Sequence, residues 1–287
     1  MKSNKMKKFQ PMLAVKADLE LIKYPCYISR KLDGIRCVIK DGVPYTRKLE
    51  DIPNLYIREK LKGLPELDGE LMIPGKGFHD VQSAVMSEDG EPDFKFHVFD
   101  NFIYPEAPFS QRLKLVRPPN PFVQTVWQSI VQNEAELLRY LDVFIAEGYE
   151  GLMVRSPESP YKFGRSTLNE GYLLKVKKFF DDEAVLVRMV EKMTNTNPKT
   201  LDKLGNSKRS SHKAGKVPAG TVGTFIALWK GKEIKLGFGE GICDYHKQEF
   251  WDNQQNYIGK QLTFTYQEIS PKGEPRFGKF VGFRYDI

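Results

Sequence analysis

The sequence predicts an α+β protein in two domains, an antiparallel-sheet domain over residues 1–180 and a small β-barrel over 181–287. Three observations point there. Strand-like stretches with alternating or continuous apolar residues recur through the first 180 residues, with short helical patterns between them. Asp181-Asp182-Glu183 marks a break in composition. Beyond it short strands return at 223–229, 233–237, 261–267 and 277–284, the pattern of a small Greek-key barrel such as an OB-fold. A chain of 287 residues suits two modest domains, and 40% hydrophobic with 12% aromatic residues is enough for real cores.

In chain order, residues 1–10 read as a tail and order begins at Pro11-Met12-Leu13-Ala14. A short helix over 17–23 follows. Tyr27-Ile28-Ser29-Arg30-Lys31-Leu32-Asp33-Gly34-Ile35-Arg36 reads as strand, tight turn, strand, with Asp33-Gly34 as the hairpin signal. Period-2 alternation puts Tyr27, Ser29 and Lys31 on one face and Ile28 and Leu32 on the other. Asp41-Gly42 turns the chain into 43–47, continuing an antiparallel meander. A helix over 52–62 ends at Gly63, and 66–73 is a strand with acids embedded in it. A helix over 81–87 precedes an aromatic strand at 94–100. A basic helix at 109–116 is stopped by Pro118-Pro119, and 123–131 reads as one strand.

Asn133 and Glu136 make a near capping box opening a helix with Leu137, Leu138, Leu141, Phe144 and Ile145 on one face, ended by Gly148. Strands follow at 150–155 and 172–179, the latter with Lys175 and Lys177 on one face. Past the boundary a strand starts at 184–190, and a helix occupies 244–253. Residues 192–220 stand apart. They carry Lys192, Lys199, Lys203, Lys208, Arg209, Lys213 and Lys216 against Asp202 alone, too long for a plain connection and too basic for neutral filler.

Charge narrows the partners. Lys plus Arg number 44 against 37 Asp plus Glu, and a net charge of +7 favours a polyanion, nucleic acid before a membrane. No run of eighteen apolar residues occurs, and the basic start Met1 to Lys8 has no apolar stretch behind it, so neither a span nor a signal peptide is expected. Cys26, Cys37 and Cys243 form no CxxC pair, which argues against a zinc ribbon and for a reducing cytoplasm. The four histidines make no metal cluster, and nothing signals oligomers, so a monomer is expected.

Lys31, Arg36, Glu70, Glu150, Lys175 and Lys177 all fall on strands or strand ends of the first domain. Charges between apolar strand neighbours are costly unless they meet one another or a ligand. Two acids and four bases gathered in one cleft suit a metal-bound phosphate ester: cations neutralise the oxygens and an acid holds the metal.

Lys31-Leu32-Asp33-Gly34-Ile35-Arg36, Thr46-Arg47, Glu66-Leu67-Asp68-Gly69-Glu70-Leu71, Phe96-His97-Val98-Phe99-Asp100, Glu150-Gly151-Leu152-Met153-Val154-Arg155 and Leu174-Lys175-Val176-Lys177 occur in that order. The series resembles the motifs of the covalent nucleotidyltransferases, and within them the small ATP-dependent DNA ligases of the bacteriophage type. The resemblance implies a nucleotidyltransferase (adenylation) domain followed by an OB-fold, with ATP and Mg2+ as cofactors and nicked duplex DNA as partner, in replication and repair, in the host cytoplasm if the source is viral. It implies that Lys31 attacks the α-phosphate of ATP to give a lysyl-adenylate. A free lysine, with a pKa near 10.4, is neutral at pH 7 in only about one molecule in a few thousand. Lys175, Lys177 and the metal are therefore expected to ease its deprotonation.

By the same resemblance Glu150 holds the metal, Glu70 meets the ribose hydroxyls, Arg36 lies near the sugar and later the nick, and Phe99, with Phe96 as alternative, stacks on adenine. AMP then passes to a 5′-phosphate at a nick, and the 3′-hydroxyl displaces it. Arg47 is expected to hold the 5′-phosphate. Arg284 and Asp286, helped by Arg276, would swing over to orient pyrophosphate by a motion about residues near 180. Lys208, Arg209 and Lys213 belong to a basic segment expected to clamp DNA as it orders on phosphates.

Two features depart from the family pattern: Ser29 stands where many ligases have a glutamate, and the closing motif stops at Ile287. An RNA ligase or an mRNA capping guanylyltransferase shares the lysine chemistry and is the alternative, and a catalytically dead nucleic-acid-binding module is a third reading.

Overall fold

The computed structural model describes residues 9–270 and 272–284, so residues 1–8 of the expected 1–10 tail and the site residue Asp286 lie outside it. The chain divides into two compact units, residues 1–177 with 202–205, and residues 178–201 with 206–287.

In the first unit the chain forms β1 (Val15–Lys16), β2 (Cys26–Arg30), β3 (Ile35–Lys40), β4 (Val43–Thr46), α1 (Leu55–Leu61), β5 (Leu67–Met72) and α2 (Phe78–Met86). It continues through β6 (Lys95–Asn101), α3 (Phe109–Lys114), β7 (Val123–Thr125), β8 (Gln128–Val131), α4 (Glu134–Ala146), β9 (Leu152–Arg155) and β10 (Leu173–Val176). These make two five-stranded sheets, ordered β1-β10-β9-β2-β8 and β4-β3-β5-β6-β7. Leu137, Leu141 and Phe144, spaced as one helical face, bury α4 against Ile28, Leu152 and Val154 of the first sheet. Ile57 and Leu61 of α1 and Val81 and Val85 of α2 cover Cys37, Ile39, Leu67 and Leu71 of the second. Val38 of β3 and Leu173 of β10 share a third cluster with Met12, Phe102 and Tyr161, which joins the sheets.

Several expectations need correction. Asp33-Gly34 is not a hairpin turn, because β2 and β3 lie in different sheets. Gly34 is required there for close approach: a Cβ would stand 2.3 Å from the Leu71 carbonyl oxygen. The true hairpin is β3–β4, where Asp41 and Gly42 both take positive φ, 52° and 73°. The single strand expected over 123–131 is two: β7 pairs parallel with β6, and β8 pairs antiparallel with β2 in the other sheet. The sheets are therefore mixed, since β1 also runs parallel to β10. The helix expected over 17–23 shrinks to a 3-10 turn, Leu19–Leu21, and the strand over 172–179 to β10. Asn133 caps α4 as expected, but Glu136 accepts from the Gln132 backbone N–H, one residue earlier than a capping box requires.

The second unit comprises β11 (Phe180–Asn195), β12 (Lys199–Leu201), β13 (Ser207–Arg209), β14 (Lys216–Trp229), β15 (Lys232–Phe238), α5 (Asp244–Asp252), β16 (Gln261–Tyr266), β17 (Glu268–Ile269), β18 (Pro275–Arg276) and β19 (Lys279–Phe283). Pairings run β11–β14, β14–β15, β15–β19, β19–β16 and β16–β11, so each of the five long strands has two neighbours. Inside lie Leu186, Phe225, Leu236, Leu262, Phe264 and Phe280, with Phe250 of α5 packed on them. The basic stretch over 192–220 is largely strand. β11 and β14 stay paired as far as Asn195↔Lys216, and β12 pairs with β13. Backbone hydrogen bonds hold this extension where apolar burial is scarce, which is why hydrophobic pattern does not announce it. Among the described residues no helix is long and apolar enough to cross a membrane.

Candidate active site

One cavity of about 250 Å3 in the first unit gathers Lys31, Arg36, Arg47, Glu70, Phe99 and Lys175. Lys31 follows β2 directly, and its backbone N–H donates to the Gly151 carbonyl at 2.9 Å. Gly151 in turn lies against the end of β10, where a Cβ would come within 2.2 Å of the Val176 carbonyl oxygen. This close approach brings three chain segments to one point. Lys31 Nζ donates to Glu150 Oε2 and Lys177 Nζ to Glu150 Oε1. Glu150 and Lys177 do not line the cavity and meet it through Lys31.

Burial alone would raise the Glu150 carboxyl, but Lys31 and Lys177 outweigh it and hold the group below its ordinary value. Burial, together with Lys177, Lys31 and Arg165, pushes the Lys175 amine below its ordinary value, against a smaller pull from Glu150.

The opposite wall comes from the second sheet. Arg36 and Glu70 are cross-strand neighbours on β3 and β5. The Arg36 guanidinium forks onto Asp68, Nε to Oδ1 at 2.5 Å and Nη2 to Oδ2 at 2.6 Å, and Nη2 also reaches the Met12 carbonyl at 3.1 Å. It lies 4.6 Å over the Phe99 ring. The Tyr161 hydroxyl donates to the same Asp68 at 2.5 Å. Burial pushes Glu70 up to about 7, although Arg36 and Lys31 pull it the other way. Phe99 is half-buried and faces the cavity, whereas Phe96 is fully buried in the core. The reason is alternation along β6: Phe96 and Val98 turn into the core and Phe99 to the other face. A bulge between Asp68↔Asp100 and Gly69↔Val98 also leaves Phe99 without a ladder partner.

Sequence reasoning missed a supporting layer. Asp100 accepts from Arg112 Nε and Nη2, both at 3.0 Å, and from Arg155 Nη1 at 2.6 Å, all three residues being buried. Arg155, Arg165, Ser29 and Gln128 also line the cavity. The available signal was an aspartate set among apolar strand residues, Leu67-Asp68-Gly69 and Val98-Phe99-Asp100, which a buried charge occupies only with partners.

The remaining expected residues lie in the second unit. Arg284 donates to Glu183, and Arg276 pairs with Glu268 at 2.6 Å. Lys208 and Arg209 are on β13, and Lys213 opens the 3-10 turn Lys213–Gly215; all three are exposed. Among the described residues no group of three His, Cys, Asp or Glu side chains could hold a metal. A lone carboxylate such as Glu150 does suit Mg2+, which binds through one or two carboxylates together with substrate phosphates.

Residues 11–177 match the family model described as an ATP dependent DNA ligase domain, and 214–284 match a DNA ligase OB-like domain. The DNA ligase of African swine fever virus (isolate Warthog/Namibia) is 28% identical over 285 residues, covering 91% of this chain and 64% of that protein. The chain thus spans about 64% of the length of these viral relatives. The DNA ligase of Haemophilus influenzae is 24% identical, over 88% of this chain and 84% of its own. The crystal structure of the Chlorella virus DNA ligase-adenylate is 30% identical, covers 96% of this chain and 99% of its own, and superposes with a TM-score of 0.55. A Lig E DNA ligase structure, at 24% identity and a TM-score of 0.69, shares the fold.

Proposed function

The chain belongs to the ATP-dependent DNA ligase family, and on that premise we propose that it seals 5′-phosphate/3′-hydroxyl nicks in duplex DNA through a lysyl-AMP and a DNA-adenylate. The observation that carries this reading is the meeting of Lys31 and Lys177 on one carboxylate, beside a cavity that also holds Lys175, Glu70 and Phe99. In this reading residues 1–180 form the adenylation domain. Residues 181–287 form an OB-fold barrel, supported by the ring of strand pairings and the OB-like match. The three cysteines are free thiols, in keeping with a cytoplasmic location, the host's if the source is viral.

Lys31 Nζ attacks the α-phosphorus of ATP, forming a P–N bond as the bond to pyrophosphate breaks. Its proton leaves along the hydrogen bond toward Glu150 Oε2. Glu150 is also the residue that would hold Mg2+, which supplies neutralisation of phosphate charge when bound. Lys175 and Lys177 add cations for the same oxygens. Phe99 offers the ring for the adenine, and Glu70, poised near 7, can accept or donate at the ribose hydroxyls. Arg36 arrives pre-oriented, because Asp68 fixes both arms of its fork. Exposed Arg47 at the rim takes the nick 5′-phosphate. Arg284 and Asp286, with Arg276, handle the pyrophosphate in the first step. Lys208 and Arg209 on β13, and Lys213 on the 3-10 turn that follows, contact DNA phosphates.

A gel assay with labelled ATP or GTP, chased with nicked DNA or nicked RNA, separates the readings. Label from ATP that disappears into sealed DNA is the expected result. Label from GTP alone would identify a guanylyltransferase, and sealing confined to RNA an RNA ligase.

A further inference from the structure

Four adjacent strands of the first sheet carry one row of side chains across the cavity. Gln128 on β8, Ser29 on β2, Met153 on β9 and Lys175 on β10 are successive partners in register, and all four line the cavity. Lys175, at one end, lies within the electrostatic reach of Lys31 and Lys177, whose amines would handle phosphate. Gln128, at the other, crosses to the second sheet, its Nε2 donating to the Phe99 carbonyl at 2.9 Å.

That bond exists because Phe99 is the bulged residue, without a ladder partner on β5. It also fixes the amide. A carbonyl only accepts, so the Gln128 NH2 must face it and Oε1 is turned away. Among the described residues no donor meets that oxygen. The site therefore presents one oriented acceptor beside the ring on which the base stacks.

We propose that Gln128 is a specificity-determining residue whose amide oxygen accepts a hydrogen bond from the 6-amine of the adenine. A 6-oxo purine would instead set a lone pair against Oε1, so the same oxygen disfavours it. The inference rests on the reading that the cavity binds ATP.

Single-turnover formation of the lysyl-nucleotide tests it, using ATP and purine riboside triphosphate, which lacks only the 6-amine. The wild type should prefer ATP by about tenfold, the size of one well-made neutral hydrogen bond. Gln128→Met should bring the ratio close to one by slowing the ATP reaction alone. If Gln128→Met slows both substrates in parallel, Gln128 merely braces Phe99 and the inference is wrong. It is equally wrong if the ATP preference survives in Gln128→Met. No nucleotide on wild-type Lys31 from either substrate would overturn the proposed function, and this inference with it.

Discussion

The two units put their cations in opposite settings. In the first, buried Arg112 and Arg155 and half-buried Arg36 are held by Asp68 and Asp100, and half-buried Lys31 and Lys177 by Glu150. In the second, Lys208, Arg209 and Lys213 stand exposed on a paired-strand extension with little core beneath it. Buried charges are strongly coupled to the fold and to one another, because each would be costly alone. Exposed ones are screened within about 8 Å at physiological salt and contribute little to stability. The first arrangement is suited to directing a reaction, the second to holding a polyanion of any sequence.

The largest effect that can break this contrast is expected at Asp100. Asp100→Ala strands two buried guanidinium groups and should destabilise the protein by about 3–5 kcal/mol, read from urea unfolding. A loss under about 1 kcal/mol would mean that the supporting layer is not what holds the site.

Glu70 and Glu150 should next show opposite pH signs. Glu70 has its folded value raised to about 7, so its contribution is full below the ordinary value of 4.5 and is lost as pH rises to about 7. Glu150 has its folded value lowered, so its contribution is present above 4.5 and is lost as pH falls through the folded value. Unfolding measured across pH for Glu70→Gln and Glu150→Gln should remove one limb each. The same limb removed by both would contradict the assignment.

In the second unit, replacing Lys208, Arg209 and Lys213 together by Ala should leave thermal stability within about 0.5 kcal/mol. Nick affinity should weaken, with a log–log salt slope shallower by up to about 3. An unchanged slope would remove these residues from the DNA interface. The smallest expected effect is local: Asn133→Ala removes the cap on Glu136 N and should cost about 1 kcal/mol, without changing cavity chemistry.

What could be read in advance follows the same division. Buried elements left period and punctuation: the α4 face of Leu137, Leu141 and Phe144, and the turn at Asp41-Gly42, appear where expected. Lys31, Arg36, Arg47, Glu70, Phe99 and Lys175 stand in motifs legible in the sequence and line one cavity. Sheet membership was not legible. Asp33-Gly34 has the composition of a hairpin, yet the contact of Gly34 with Leu71, distant in sequence, makes it a crossing between sheets. Val126-Trp127 divides what reads as one strand, because nothing local says that β7 and β8 find different partners. Gln128 carries no local signal for the same reason, since its amide donates to a bulged residue of β6. The strands around residues 195 and 216 were hidden by a polar sequence whose order comes from backbone pairing.

Intact mass spectrometry after incubation with ATP and Mg2+ tests the central claim most directly. Wild-type protein should gain the mass of one AMP, mapped to the peptide containing Lys31, and Lys31→Ala should gain none. Adenylation persisting in Lys31→Ala, or mapping to another residue, would contradict the account.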